Sequence, residues 1–404
     1  MEVKYPLILD GATGTQLQKR GFDSSVCAED WVLQHPEAIA EIQNAYLAAG
    51  SQVVYAPTFE ANRIKLERHG IFNRVAEYNE KLVAVSRNAV GDRAFVAGDL
   101  SPVGKFLYPL GDTDFEELVD VYTEQAKALE AAGVDLFVIE TMTTLPEARA
   151  ALLAVKSVSR KPVFVTFTCD ENGKTLTGTD VTAALVVLQG MGADAFGLNC
   201  SSGPDKMMAQ IRRLTEFAAV PLIAKPNAGA PRMEEGKTVY HCPPEQFTAY
   251  VEEMAECGVC IFGGCCGSDV EHIAALSKAV SGLNCAPVSP AHPDKLPCAT
   301  EKSVFLLDVE AGYSEVLPCD EELEDNLFEV DEDDEMIAIR IESEEELDNF
   351  SDVQGIISKP LCILCEDAKL LEQALRRYQG RAVYEGGLSD TELMPLVEKY
   401  GLII

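Results

Sequence analysis

Basic residues are scarce in this chain of 404 residues, where 33 lysines and arginines stand against 66 acids for a formal charge of −33. A surface of that sign repels phosphate backbones and anionic lipid heads, so nucleic acid and membrane surface are excluded as partners. Long apolar runs are missing too. No stretch approaches the ~20 residues a membrane helix needs, and no basic segment followed by an apolar run opens the chain. A soluble, cytoplasmic protein is predicted. Tryptophan occurs once, as Trp31, which leaves little for an aromatic cage around a quaternary ammonium group. No glycine-rich phosphate turn follows the first apolar run, and no repeat of solenoid period is present.

What the chain does contain is 47% hydrophobic residues, ample for burying a core. Up to about residue 285, short apolar runs alternate with amphipathic stretches. The runs are Leu7–Asp10, Val53–Thr58, Phe95–Ser101, Leu136–Thr141, Val163–Thr168, Ala195–Cys200, Leu222–Asn227 and Cys260–Cys265. Helical patterns such as Pro36–Ala49 and Phe115–Ala132 separate them, several with Asp, Ser or Pro at the start and Gly at the end. Eight buried strands, each followed by a helix, predict a (β/α)8 TIM barrel over residues 1–285, with a doubly wound sheet as the competing fold. Chemistry on a barrel gathers at the C-terminal strand ends. Read in order, those ends are Asp10, Thr58, Ser101, Glu140, Thr168, Cys200, Asn227 and Cys265 with Cys266. Nearly every one is polar or metal-binding.

The composition changes after residue 285. Residues 286–297 hold four prolines, Ser303–Ile339 has no Lys or Arg, and Asp320–Glu335 carries eleven acids in sixteen residues. We read 286–335 as a Pro-rich, then acidic, linker. Pattern returns at Met336–Ile341 and Leu361–Cys365 as strands, Ala368–Tyr378 as a helix, Ala382–Tyr384 as a strand and Thr391–Tyr400 as a helix. Residues 336–404 are thus expected to form a small α/β domain.

Thirteen cysteines is an odd number in a chain too long for a disulfide-stapled mini-domain, so clustered cysteines point to metal or redox chemistry. Cys200 ends one strand, and Cys265–Cys266 ends another two units later, enclosed as Gly263-Gly264-Cys265-Cys266-Gly267. Adjacent cysteines do not readily bridge each other, but glycines free the backbone so that both can face one metal. Three thiolates leave one position of a tetrahedral zinc open, the arrangement of a catalytic site. A thiol entering that position would be deprotonated, whereas free in water its pKa is ~8.5. Activation of a thiol nucleophile is what such a site suits. The alternative is that all three are buried core cysteines. Core packing is the reading for the pairs Cys257/Cys260 and Cys362/Cys365, and for the scattered Cys27, Cys169 and Cys285.

The chain resembles the homocysteine S-methyltransferase family, and especially the N-terminal module of cobalamin-dependent methionine synthases, over residues 7 to about 281. The resemblance rests on Asp10–Thr15 (DGATGT), Pro57–Arg63 (PTFEANR), Gly98–Gly104 (GDLSPVG), Tyr108–Gly111 (YPLG), Ile139–Thr141 (IET), Leu176–Asp180 (LTGTD), Gly197–Pro204 (GLNCSSGP), Pro226–Gly229 (PNAG) and Gly263–Gly267 (GGCCG). It implies a zinc-bearing barrel with Cys200, Cys265 and Cys266 as ligands, Asn227 completing the shell in the free enzyme, and Asp10 and Glu140 receiving the substrate's α-ammonium. The alternative for Asp10 is the N-cap of the next helix, and for Glu140 the partner of a buried Arg or Lys. Backbone amides of Ala12 and Thr13, in a turn that opens a helix, would take the substrate carboxylate. A fainter resemblance, through Pro360–Ile363, Leu371–Arg376 and Tyr378–Ala382, links Lys359–Ile404 to a pterin-binding barrel. Leu364 and Glu385 stand there in place of polar pterin contacts, which implies a truncated remnant that no longer binds folate.

The expected reaction is methyl transfer to the homocysteine thiol giving methionine, by direct displacement with no protein nucleophile or general base. The expected donor is methylcobalamin on a separate corrinoid protein. The alternatives are a betaine- or S-methylmethionine-type donor, or a non-catalytic zinc-binding scaffold subunit.

Overall fold

The computed structural model describes Lys4–Ile404 apart from Pro109, Glu235 and Gly236; Pro109 of the Tyr108–Gly111 motif therefore lies outside the described residues. Eight parallel strands form one sheet: β1 Leu7–Ile8, β2 Val53–Tyr55, β3 Phe95–Leu100, β4 Leu136–Met142, β5 Val163–Phe167, β6 Ala195–Cys200, β7 Leu222–Pro226 and β8 Val259–Phe262. Their spatial order is β1-β8-β7-β6-β5-β4-β3-β2, every pair parallel, so the sheet curls into a barrel. The seam between β1 and β2 is bridged by Gln52 N–H to Ile8 O (2.7 Å), Ile8 N–H to Gln52 Oε1 (2.9 Å) and Ser51 Oγ–H to Leu9 O (3.0 Å). The TIM barrel expected from the apolar runs is the fold observed.

The strands are apolar on both faces because the barrel interior lies on one side and the helical ring on the other. Leu136, Phe137, Val138 and Ile139 of β4 are all 0% exposed, each contributing roughly 1.5–3 kcal/mol of burial. The intervening helices start where side chains satisfy their first amides. Asp114 accepts from Glu116 N–H at 2.7 Å and Asp180 from Thr182 N–H at 2.9 Å. The helix Pro36–Ala49 has Pro at its first turn and ends on Gly50 at φ 112°, a conformation that needs glycine. Among the described residues no helix is long and apolar enough to cross a membrane.

Beyond the barrel the structure departs from a plain linker. Residues 286–335 contain the antiparallel hairpin β9 Leu296–Ala299 and β10 Val304–Leu307, then strand β11 Leu317–Pro318 and the helix Leu323–Phe328. The acid density hid this unit, but its core positions Leu323 and Leu327 keep the i, i+4 spacing of one helical face and are buried. Lys359 anchors the following acidic loop, its Nζ donating to the carbonyls of Asp331 (2.6 Å), Glu332 (2.9 Å) and Asp334 (2.8 Å). Strands β11, β12 Ile337–Arg340, β13 Leu361–Leu364 and β14 Val383–Glu385 then form a parallel sheet in sequential order, each followed by a helix. These four β/α units, half the number in a (β/α)8 barrel, make a half-barrel. Its inner face is covered by the hairpin, with Cys298 and Leu307 packed against Met336, Ala338, Cys362, Leu364 and Ile403.

The half-barrel docks on the outside of the main barrel. Arg149, 1% exposed on the helix Leu145–Val158, donates to Gln379 Oε1 (2.7 Å) and Leu375 O (2.9 Å), while Arg376 pairs with Glu116.

Candidate functional site

Cys200, Cys265 and Cys266 converge at the C-terminal ends of β6 and β8, their sulfurs within 4.8 Å of one another and each partly exposed. The local sequence explains how. A Cβ on Gly263 would lie 2.9 Å from Leu9 Cβ, one on Gly264 2.3 Å from Ser268 Oγ, so the backbone before the cysteines packs closer than any side chain permits. Gly267 turns the chain at φ 81°, against the ring of Tyr240. Cys265 N–H donates to Pro226 O (2.8 Å) and Ala228 N–H to Cys266 O (2.9 Å), which ties the pair to the end of β7. Cys200 itself sits at φ 58°, a sparsely populated region for a non-glycine residue.

Tetrahedral zinc with Zn–S of ~2.3 Å holds sulfurs about 3.8 Å apart, so the three thiols fit one ion with little closure. They are already polarised toward each other. Hydrogen bonds from Cys200 and Cys265, and one from Tyr240, hold the Cys266 thiol below its ordinary value, while Cys200 is pushed up by its sharing with Cys265 and Cys266. Asn227, the expected fourth ligand, is 2% exposed and its Oδ1 has no hydrogen-bond partner, a free acceptor at the end of β7.

Asp10 and Glu140 are brought together, with Lys225 between them. Lys225 Nζ lies 3.3 Å from Asp10 Oδ1, 3.6 Å from Glu140 Oε2 and 3.7 Å from the centre of the Tyr55 ring. The alternative raised for Glu140, partnership with a buried base, is thus realised, and it extends to Asp10. Asp10 is not a helix cap; that position falls to Thr13, ahead of the helix Gly14–Gln18. Its Oδ2 accepts Tyr55 N–H at 2.8 Å. Burial raises the pKa of both carboxyls against the pull of Lys225, Glu140 to about 7. Burial alone would lower Lys225, but Glu140 and Asp10 more than offset it and its pKa is raised. Asp99, 4% exposed, is driven well above the ordinary carboxylate range by burial and then by the Glu140 charge.

Of the turn after β1, Ala12 N–H donates to Ser268 Oγ (3.0 Å), whose hydroxyl donates to Cys265 O (2.7 Å). That amide is therefore occupied, and Thr13 is left of the two expected carboxylate donors. Thr58, Ser101 and Thr168 serve the loops: Thr58 Oγ1 bonds Asp99 O, Ser101 Oγ bonds Phe59 O, and Thr168 pairs with Ser201. The sequence reading missed Lys225, Asn199, Tyr240 and Asp99. Lys225 carried a signal, as the single base inside the otherwise apolar run Leu222–Asn227.

The C-terminal face of the barrel thus presents three thiols that could hold a metal ion and, near them, two carboxylates. Residues 7–280 match the family described as homocysteine S-methyltransferase, and the chain belongs to that family. The methionine synthase of Mycobacterium leprae is 30% identical over 298 residues, and that of Mycobacterium tuberculosis 31% over 297. Each alignment takes in 69% of this chain but 24% and 25% of the relative, so the chain spans about a quarter of the length of these curated relatives. The metallated crystal structure of the homocysteine methyltransferase MmuM from Escherichia coli shares the fold, with a TM-score of 0.57 at 24% identity over 67% of this chain and 95% of that one. Its apo form gives a TM-score of 0.53 at 25% identity, over 68% and 95%.

Proposed function

We propose that the chain catalyses zinc-dependent methyl transfer to the thiol of homocysteine, giving methionine, in the cytoplasm. The observation that carries this is the trio Cys200, Cys265 and Cys266, convergent within 4.8 Å at the catalytic face of the barrel. Zinc held by those thiolates supplies the Lewis acidity that keeps an acceptor thiol ionised at neutral pH. The protein's own part is placement. Glu140 and Asp10 take the acceptor's α-ammonium beside Lys225: Asp10 Oδ1 carries no hydrogen bond and faces Lys225 Nζ at 3.3 Å, and Glu140 stands at 8% exposure. Thr13, at the turn into the helix Gly14–Gln18, would receive the acceptor's carboxylate on its backbone amide. Lys225 pairs with both carboxyls, and an arriving ammonium would add a second cation to that group. Asn227 would hold the fourth position in the free protein and would give it up to the acceptor thiol.

The acceptor sulfur then displaces the methyl group directly. The new C–S bond forms as the donor–methyl bond breaks, and the pair of electrons leaves with the donor. For the donor we favour methylcobalamin carried on a separate corrinoid protein. The half-barrel would not bind folate, since Leu364 and Glu385 lie side by side at its strand ends where polar pterin contacts would be needed, and would instead shield the barrel or mediate assembly.

Elemental analysis of purified protein should find about one zinc per chain, lost in Cys200→Ser, Cys265→Ser or Cys266→Ala with circular dichroism unchanged. Homocysteine binding to the zinc form should release about one proton near neutral pH, seen as a dependence of calorimetric heat on buffer ionisation. Undiminished zinc in Cys266→Ala would sink the assignment.

A further inference from the structure

Three non-glycine residues with positive φ crowd the space between the two halves of the site: Thr141 at 60°, Cys200 at 58° and Ser201 at 59°. Backbone in this region persists for such residues only where the surroundings over-determine it. At Thr141 one side chain does so. Asn199, 0% exposed on β6, accepts Thr141 N–H on Oδ1 at 3.0 Å and donates from Nδ2 to Thr141 Oγ1 at 2.7 Å. The same Nδ2 also lies 3.5 Å from Glu140 Oε2 and 3.8 Å from Cys265 Sγ. A carboxamide nitrogen has two hydrogens. One goes to Thr141, and the other has two acceptors before it, the carboxylate on one side and the sulfur on the other.

We propose that Asn199 is a positioning residue that couples acceptor recognition at Glu140 to metal retention at Cys265. This rests on the reading given under Proposed function. When Cys265 is an ionised metal ligand, the free N–H turns to the sulfur, and Glu140 Oε2 is released for a cationic partner. When an ammonium group satisfies Glu140, the N–H in turn is freed for the thiolate. Each event favours the other, and no covalent step is involved. Thr141 and Cys200 hold their unusual backbone so that one carboxamide can touch both centres. Hydrogen bonds to ligating groups of this kind typically change metal affinity by roughly 10–100-fold.

The test is a double-mutant cycle on zinc affinity, measured by competition with a chromophoric chelator for wild type, Glu140→Gln, Asn199→Ala and the double variant. Circular dichroism establishes that each is folded. Asn199→Ala should weaken zinc binding by roughly 10-fold or more. The effect of Glu140→Gln should differ between the two backgrounds by roughly threefold or more, the size expected for groups in one hydrogen-bond network. Asn199→Asp, which keeps the acceptor for Thr141 N–H but loses the donor, should behave like Asn199→Ala, and it serves if the alanine variant does not fold. If the residue only shapes the loop, Asn199→Asp will bind zinc as wild type does. That result, or additive effects in the cycle, overturns the proposal while leaving the zinc site intact. A wild type that takes up no zinc overturns the functional reading itself.

Discussion

Replacing Lys225 by Met tests how the barrel interior tolerates two carboxylates. The substitution keeps the length of the stem but removes a charge that lies 3.3 Å from Asp10 and 3.6 Å from Glu140 with about 5% of its side chain exposed. At an effective dielectric of ~20, each of those contacts represents about 5 kcal/mol of gross attraction, most of it offset by the desolvation of the three charges. Removing one partner leaves the others buried and unpaired, which typically destabilises by about 3–5 kcal/mol. The variant can escape part of this by protonating its carboxyls. Glu140 is already raised to about 7 with Lys225 present, and both carboxyls rise further without it. A folded state that holds protons the unfolded state has released loses stability as pH rises, from the unfolded carboxyl value near ~4 up through the folded one. The deficit of Lys225→Met relative to wild type should therefore be largest above about pH 7 and shrink toward pH 4.5. Urea denaturation of both proteins across that range measures it. A deficit independent of pH would mean that Lys225 acts through the packing of its stem, and no deficit at all would refute the ion-pair reasoning.

Two further outcomes are expected. Glu140→Gln should keep its zinc but bind homocysteine roughly ten- to a hundredfold more weakly, the loss of one charge-assisted hydrogen bond, while binding of the amine-free 3-mercaptopropionate changes little; calorimetry with both thiols decides, and equal losses would mean that Glu140 does not read the amine. Arg149→Leu should leave metal content untouched but loosen the half-barrel, because the side chain holds Gln379 and Leu375 from the main barrel. Limited proteolysis should then cut the 286–297 segment faster than in wild type, and unchanged cleavage would show that Arg376 with Glu116 and the apolar contacts suffice.

The barrel was legible because its strands are buried on both faces. Runs such as Leu136–Thr141 leave no alternation to confuse with a half-exposed sheet, and Asp114, Asp180 and Gly50 mark helix ends as local chemistry requires. The cysteine trio was legible from strand-end position together with the flanking glycines. Lys225 carried a signal as a base inside an apolar run, but its pairing was not legible, because Asp10 after β1 and Glu140 on β4 are far from it in sequence. Nor was Asn199, since its partner Thr141 is 58 residues away in sequence. The half-barrel was read short by one unit: eleven acids in sixteen residues outweighed the apolar positions of Leu317, Leu323 and Leu327, although those side chains need only one protected face.

The central claim is that an acceptor thiol reaches a metal held by Cys200, Cys265 and Cys266, and X-ray absorption at the zinc edge addresses it most directly. The zinc-loaded protein should show three sulfur neighbours at about 2.3 Å and one lighter atom, and addition of homocysteine should replace that lighter atom with a fourth sulfur. A first shell that stays at three sulfurs with homocysteine saturating, or one that never contains three, would contradict the claim.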